Sequence, residues 1–148
     1  MYISTKCSIA LHCLVFICEY GGSHKVTSSL LSRSSGVSAV TVRNILGALK
    51  KDGVISVKAG TGGAALLLPP RAVTLYRVWR AVEPDFLEKL IGVHPSPSRR
   101  CPVGRNIRSV LERSYGRIRD DLRRSLESVT LEDLAEDYRA FLSAERTD

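Results

Sequence analysis

The fold of this 148-residue chain is decided by residues Val26 to Leu68, VTSSLLSRSSGVSAVTVRNILGALKKDGVISVKAGTGGAALLL. This stretch predicts two short helices around a glycine turn, followed by a two-stranded wing with a glycine-rich tip. Residues 34–38 supply turn-forming side chains where the chain must reverse, and Ser38 can cap the helix that follows. Because this order is typical of a winged helix-turn-helix, we expect a mainly α-helical fold with a small β-wing.

The second helix of this unit is predicted from about Ala39 to Asp52 and is amphipathic. Its apolar side chains recur at i, i+3, i+4 and i+7 and must pack inward: Val42, Ile45, Leu46 and Leu49. The opposite face is left for a partner and presents Val40, Arg43, Asn44, Gly47, Lys50 and Lys51, with Thr41 at its border.

This outward face has the chemistry of a helix that reads the major groove of DNA, mainly through its N-terminal residues. Arg suits guanine, Asn suits adenine and an apolar methyl group meets thymine. We therefore assign four residues to base edges: Val40, Thr41, Arg43 and Asn44. Lys50 and Lys51 lie further along and are expected to neutralise phosphates, while Ser38 begins the same interface.

The wing is predicted from Val54 to Leu68, with its tip at residues 58–63. Three glycines in four positions permit positive φ and the close backbone approach that a phosphate or minor-groove contact needs. Lys58 adds a positive charge beside that tip. The predicted DNA contacts of the wing are Lys58, Gly60, Thr61 and Gly62.

The charge of the chain is divided unevenly along its length. Residues 1–80 contain ten Lys and Arg against two acids, a balance of +8, whereas residues 81–148 contain twelve against thirteen, a balance of −1. The positive excess therefore lies with the winged-helix segment, as attraction to a phosphate backbone requires. A solvated basic face, or a winged helix that binds an acidic protein without DNA specificity, would have the same charge.

An apolar run from Ile9 to Cys18 is interrupted only by His12. It is shorter than the about 20 residues that a membrane span needs, and no signal-peptide cleavage pattern follows it. We interpret it as a helix that ends at Tyr20 and is covered on several sides. No membrane partner is expected, and the cytoplasm is the default location.

The sequence predicts three regions: a DNA-binding domain over residues 1–83, a linker over 84–102 and a C-terminal unit over 103–148. Thr74 can cap a short helix in which Trp79 is a core anchor, and Thr130 can begin a final helix. The long helix between them, from about Val103, has apolar residues spaced by three and four: Ile107, Leu111, Tyr115, Ile118, Leu122, Leu126 and Val129.

That apolar stripe needs something to lie against, and we expect it to form a two-fold dimer. The predicted dimerisation residues are Ile107, Leu111, Tyr115, Ile118 and Leu122. A dimer would place two reading helices in successive major grooves, about 34 to 36 Å apart. The alternative is that the helix folds back onto its own domain.

Several stretches in one order resemble the Rrf-type regulators, the winged-helix family of IscR-, NsrR- and CymR-like proteins. They are Ile3 to Lys6, Gly36 to Ser38, Leu46 to Ile55, Gly60 to Pro70 and Thr74 to Glu83. The resemblance covers most of the chain. It implies a dimeric transcription factor, usually a repressor, that binds a near-palindromic operator.

Many relatives sense iron, nitric oxide or redox state through an iron-sulfur cluster held by three closely spaced Cys before the long helix. Here that stretch contains Cys101 alone, and the other three cysteines lie in the first helix, so we expect no cluster and no other cofactor. Residues 101–107 are similar to the start of the long helix in clusterless members. Because Cys101 follows two arginines and precedes a helix, a thiolate would be stabilised there, and a redox switch is an alternative.

The sequence contains no recognisable catalytic motif. Cys101 and His94 have no third orienting group, the wing tip lacks the Gly-Lys-Ser/Thr ending of a phosphate loop, and three dispersed His form no zinc pattern. We therefore expect no enzyme and no metal site. The operator sequence and the effector stay open; a small molecule in the dimer crevice, oxidation of Cys101 and titration by protein level are all allowed.

Overall fold

The computed structural model describes residues 4–60 and 62–146. Its elements in chain order are α1 (Lys6–Tyr20), α2 (Ser28–Ser35), α3 (Ala39–Lys51), β1 (Ile55–Lys58), β2 (Gly63–Leu66), α4 (Leu75–Val82), α5 (Phe86–Leu90), α6 (Pro102–Glu127) and α7 (Leu131–Glu145). The mainly α-helical fold with a two-stranded wing is confirmed. Helix α3 ends one residue earlier than predicted, and Asp52 is its C-cap.

Local capping chemistry explains where the helices of the winged unit begin. The side chains of Thr27, Ser38 and Thr74 each accept a hydrogen bond from a backbone N–H three residues on, at 3.1 to 3.2 Å. These bonds satisfy donors that have no partner inside the helix. Between α2 and α3 the chain turns at Gly36, whose φ of 73° favours glycine. The predicted caps Ser38 and Thr74 are therefore confirmed.

Helix α1 forms the centre of the main core. Its Cys7, Ala10, Cys13, Leu14 and Ile17 are buried and pack with the inward faces of α2, α3 and α4 and with the wing. All four predicted inward residues of α3 lie in this core. One side of α1 is covered less completely than predicted: Leu11, Val15 and Phe16 are half-buried and border an open groove.

The wing is an antiparallel hairpin in which Ile55 pairs with Leu66 and Lys58 pairs with Gly63. Strand β2 is also joined to the segment before α2, because Ala64 N donates to the carbonyl of Val26 at 2.8 Å. The wing is thus fixed to the helix-turn-helix at its base. The predicted contact Thr61 lies outside the described residues.

The C-terminal helices return to the N-terminal core. Leu75 N donates to the carbonyl of Val129 at 2.9 Å, and Leu131 N donates to the carbonyl of Val73 at 2.8 Å. Leu131 lies in the main core, so α7 packs against α1 although the sequence groups it with α6.

Two details of the sequence prediction for this region are wrong. The stretch interpreted as linker contains α5, whose Phe86 and Leu87 form a second buried cluster with Leu126 of α6. Helix α6 begins at Pro102 and ends at Glu127, so Val129 is not part of its apolar stripe. The domain limits themselves stay a prediction.

Candidate nucleic-acid interface

Helix α3, hereafter the recognition helix, presents a continuous outward face. Every residue that the sequence assigns to that face is exposed: Val40, Arg43, Asn44, Gly47, Lys50 and Lys51. Thr41, at the border of the face, is half-buried. Val40 is 58% exposed although it is apolar, so its side chain is available for contact with a partner. The geometry of the face agrees with its predicted periodicity, and its base contacts stay a prediction.

The first turn of the recognition helix is ordered by Ser38 and Thr41. Ser38 Oγ accepts from Thr41 N at 3.2 Å, and the two hydroxyls lie 2.9 Å apart in a hydrogen bond. Ser38 is therefore engaged in capping, which holds the backbone of the reading end in place. The hydroxyl of Thr41 is used in this hydrogen bond, so its methyl group is the part of the side chain that can contact a partner.

The last turn of the recognition helix is held by α4, a contact that the sequence did not reveal. Arg77 Nε donates to the carboxylate of Asp52 at 2.7 Å, and a second guanidinium nitrogen donates to the Asp52 main-chain carbonyl at 2.8 Å. Arg80 approaches the other carboxylate oxygen at 3.7 Å. A planar guanidinium with two donors at Asp52 fixes both position and orientation.

The tip of the wing is organised by a lysine from outside it. Lys25 Nζ donates to the carbonyl of Gly60 at 2.8 Å, so the segment between α1 and α2 holds the turn between β1 and β2. Gly60 has a φ of 77°. A Cβ at Gly62 would lie 2.2 Å from Lys58 Cβ, which leaves no room for a side chain there. Lys58, Gly60 and Gly62 are all exposed, as a backbone contact to a partner requires.

The positive charges of the interface have no acidic partner among the residues that the structure describes. None of Arg43, Lys50, Lys51 and Lys58 has an ion-pair partner in residues 4–60 and 62–146. The two acids in the basic half of the chain are engaged elsewhere: Asp52 with Arg77, and Glu19 with Arg139 of α7 at 2.9 Å. The recognition helix and the wing therefore both carry exposed positive charge that no acid in the described residues compensates.

The apolar stripe of α6 is divided between two roles. Leu122 packs against the cluster of Phe86, Leu87 and Leu126, so this predicted dimerisation residue is already used inside the chain. Towards the helix start the stripe is only partly covered: Ile107, Leu111 and Tyr115 are half-buried and Ile118 is 48% exposed. Val103 and Val110, which the prediction did not include, are 68% and 62% exposed.

The four cysteines lie at two separate places in the fold, three in α1 and one at the start of α6. Burial raises the pKa of the Cys7 thiol to about 12 and that of Cys13 to about 11, so both are protonated at neutral pH. Cys101 is exposed at the N-cap of α6. Over the residues that the structure describes, no three His, Cys, Asp or Glu side chains are grouped as metal ligands.

Helix length and hydropathy bear on the membrane question. Within residues 4–60 and 62–146, we find no helix with both the length and the apolar character to cross a bilayer.

Comparison with known proteins identifies relatives over nearly the whole chain. The profile of the Rrf2 family, described as iron-dependent transcriptional regulators, matches residues 3–137. A protein named as an HTH-type transcriptional regulator, YwnA of Bacillus subtilis (strain 168), is 30% identical over 132 residues, which are 89% of this chain and 96% of YwnA.

Solved structures extend the similarity to the fold. A structure described as a transcriptional regulator from Lactobacillus plantarum has a TM-score of 0.77 and 26% identity, over 98% of this chain and 99% of that one. CymR, the global cysteine regulator of Bacillus subtilis, has a TM-score of 0.68 and 23% identity, over 92% of this chain and 97% of its own. The CymR similarity concerns the fold alone.

Proposed function

This chain belongs to the Rrf2 family of transcriptional regulators, and from that premise we propose that it is a homodimeric repressor of a near-palindromic operator. The family consists of DNA-binding regulators and not of enzymes, as the sequence predicted. The proposed reading surface is the recognition helix together with the wing. Repression is favoured over activation because it is the commoner role among the relatives that the sequence resembles.

One observation carries the proposal: Arg43, Lys50, Lys51 and Lys58 have no ion-pair partner in the described residues, and the first three share the exposed face of the recognition helix with Val40 and Asn44. Cations without internal partners are available to displace counterions from phosphates, which supplies most non-specific affinity for DNA. An acidic protein partner would also be attracted, but it would not need Asn44 and Val40 at the reading end.

The roles within the surface follow from side-chain chemistry. Arg43 is assigned to guanine O6 and N7, Asn44 to adenine, and the methyl groups of Val40 and Thr41 to thymine. Lys50 and Lys51, at the far end of the helix, are assigned to phosphates. The backbone of the wing tip, held by Lys25, is assigned to the adjacent phosphate or minor groove.

The dimer is proposed to form along the uncovered start of α6. Val103, Ile107, Val110, Leu111 and Ile118 share one side of that helix; Val103, Val110 and Ile118 are exposed, and Ile107 and Leu111 are half-buried. Two copies paired there would bury these side chains, and a two-fold axis would give the operator its near-palindromic form.

We infer that the regulator works in the cytoplasm without an iron-sulfur cluster, since its thiols are scattered and two are deeply buried. A redox-responsive regulator is the second candidate, because Cys101 is exposed at the start of the proposed dimer helix. Oxidant that weakens operator binding by the wild type but not by Cys101→Ser would support it, and equal effects on both would reject it.

The test of the main proposal is selection of bound fragments from random DNA, followed by titration of the selected site. We expect enrichment of a two-fold symmetric sequence and a steep loss of affinity with salt, at a slope of about −0.9 for each phosphate contacted. A non-symmetric, sequence-independent result would overturn the proposed operator. No measurable DNA binding at low salt would overturn the proposed function itself.

A further inference from the structure

An open groove of about 870 Å³ lies between α1, α2 and α7. Leu11 and Val15 of α1, Leu30 of α2 and Leu134 of α7 give it aliphatic walls. Pockets for small molecules span about 300 to 1,000 Å³ and are lined mainly by apolar side chains with a few polar groups. The α1–α7 groove has that size and that composition.

Aromatic side chains are concentrated in this groove. Four of the nine Phe, Tyr and Trp residues of the chain line it: Phe16, Tyr20, Tyr138 and Phe141. The rings of Phe16 and Tyr20 have centroids 5.0 Å apart, and those of Tyr20 and Tyr138 are 6.4 Å apart at 73°. Phe141 is 73% exposed, so much of its surface remains free to contact a ligand.

The groove has a negative charge that nothing in the described residues balances. Asp137 lines it and has no ion-pair partner in residues 4–60 and 62–146. Arg139, the cation on the same helix, is committed to Glu19 by three hydrogen bonds of 2.9 to 3.2 Å. The hydroxyls of Tyr20 and Tyr138 bond to each other, and this bond raises the pKa of Tyr138.

We propose that the α1–α7 groove binds a lipophilic cation, with its aromatic or alkyl body between the rings and its positive head towards Asp137. Electron-rich ring faces attract cations, most strongly where water is partly excluded. An anion of the same shape would be repelled by the carboxylate of Asp137, and a polar cation would leave the aliphatic walls unfilled.

The position of the groove connects such a ligand to DNA binding, a step that rests on the proposed function. His12 of α1 and Ser34 of α2 form one wall, and His12 Nε2 lies 2.8 Å from Ser34 Oγ in a hydrogen bond. Ser34 is two residues before the Gly36 turn that leads into the recognition helix. A ligand that separates α1 from α2 would therefore shift the recognition helix. If the cation changes the affinity for DNA by some factor, DNA must change the affinity for the cation by the same factor.

The direct test is equilibrium dialysis of the full chain, without DNA, against tetraphenylphosphonium and tetraphenylborate. The two ions have nearly the same shape and opposite charge. Because the chain has a net charge of +7, non-specific attraction favours the borate. We expect saturable binding of the phosphonium at about one site per chain and weaker binding of the borate. Equal affinities, or a preference for the borate, would overturn the proposal.

Matched variants on α7 locate the site. Asp137→Asn should weaken phosphonium binding by about two- to fivefold, the range for an exposed charge pair, whereas Glu136→Gln, which does not line the groove, should leave it unchanged. Equal effects would overturn the role of Asp137. Binding that appears only when the chain is made monomeric would mean that a second copy occupies the groove, and would also overturn the proposal.

Operator affinity measured with and without the phosphonium then tests the regulatory step. A change in affinity that Asp137→Asn reduces is expected, and no change would limit the groove to binding alone and overturn its regulatory role. Failure of the proposed function is separate, since it would appear as absent operator binding with no cation present.

Discussion

Arg77 of α4 donates hydrogen bonds to both the carboxylate and the main-chain carbonyl of Asp52, the C-cap of the recognition helix. Helix α4 is tied at its other side to α5, because the rings of Trp79 and Phe86 are stacked with centroids 5.4 Å apart. Phe86 in turn packs on Leu126 of α6. Helix α4 therefore stands between the helix proposed to read DNA and the helix proposed to form the dimer, and it sets their relative position.

Removing the hydrogen bonds from Arg77 to Asp52 should destabilise the C-terminal end of the recognition helix. We expect Arg77→Met, which keeps the aliphatic stem, to lower the free energy of unfolding by about 1 kcal/mol, since the pair is partly exposed. Operator affinity should fall as well. Arg80→Met is the matched control, because Arg80 only approaches Asp52 at 3.7 Å. Urea unfolding measures both variants, and equal losses would contradict a special role for Arg77.

Reading and anchoring residues should be separable by mutation. Arg43→Ala should cost about 1 to 3 kcal/mol on the preferred operator and relax discrimination at one base pair. Lys50→Ala should weaken all sequences alike and reduce the salt dependence by about one phosphate contact. Fluorescence anisotropy against operators with single base changes measures both. Identical profiles for the two variants would mean that the division of roles is wrong.

The recognition helix was predictable because its evidence is local. The spacing of Val42, Ile45, Leu46 and Leu49 defines an inward face within about two turns, and Ser38, directly before the helix, caps it through the N–H three residues on. The wing was also predictable, since its glycines and short apolar runs are adjacent in the chain. Periodicity and capping need no knowledge of what packs where.

The contacts that the sequence did not reveal join distant segments. Tyr20 and Tyr138 are 118 residues apart, and Lys25 and Gly60 are 35 apart, so no local pattern announces either pair. Helix α5 has five residues, too few to display a helical period. The apolar stripe of α6 was visible, but its division at Leu122 depends on α4 and α5, which lie elsewhere in the sequence.

A charge on the uncovered side of α6 should break the proposed dimer. Val110→Asp places a carboxylate among apolar side chains, so we expect a shift towards monomer and a large loss of operator affinity. Ser109→Asp adds the same charge on the opposite side of the helix and should leave the dimer intact. Sedimentation velocity at several concentrations measures both. A dimer that tolerates Val110→Asp would rule out this face as the interface.

Thiol titration of the native protein should separate the cysteines by burial. At neutral pH the raised pKa values of Cys7 and Cys13 keep both thiols protonated, and both are buried, so they should react only on unfolding. Exposed Cys101 should react first, with half-buried Cys18 slower. A chromogenic disulfide reagent follows the reaction, and Cys101→Ser should remove its fast phase. A fast phase that persists in this variant would contradict the assignment.

The start of α7 should make stability depend on pH through Asp133. Thr130 N and Oγ1 donate to its carboxylate at 2.7 and 2.8 Å, and these bonds lower the pKa of Asp133 below its ordinary value. A carboxyl whose pKa is lower in the folded state contributes stability above its unfolded pKa, and this is lost as pH falls through the folded value. Asp133→Asn should therefore reduce the Tm at pH 7, and its difference from wild type should shrink below about pH 4. Glu132→Gln is the control, because Glu132 is one residue away and takes no part in the hydrogen bonds between Thr130 and Asp133. A Tm deficit of Asp133→Asn that stayed constant as pH fell below about 4 would contradict the electrostatic origin.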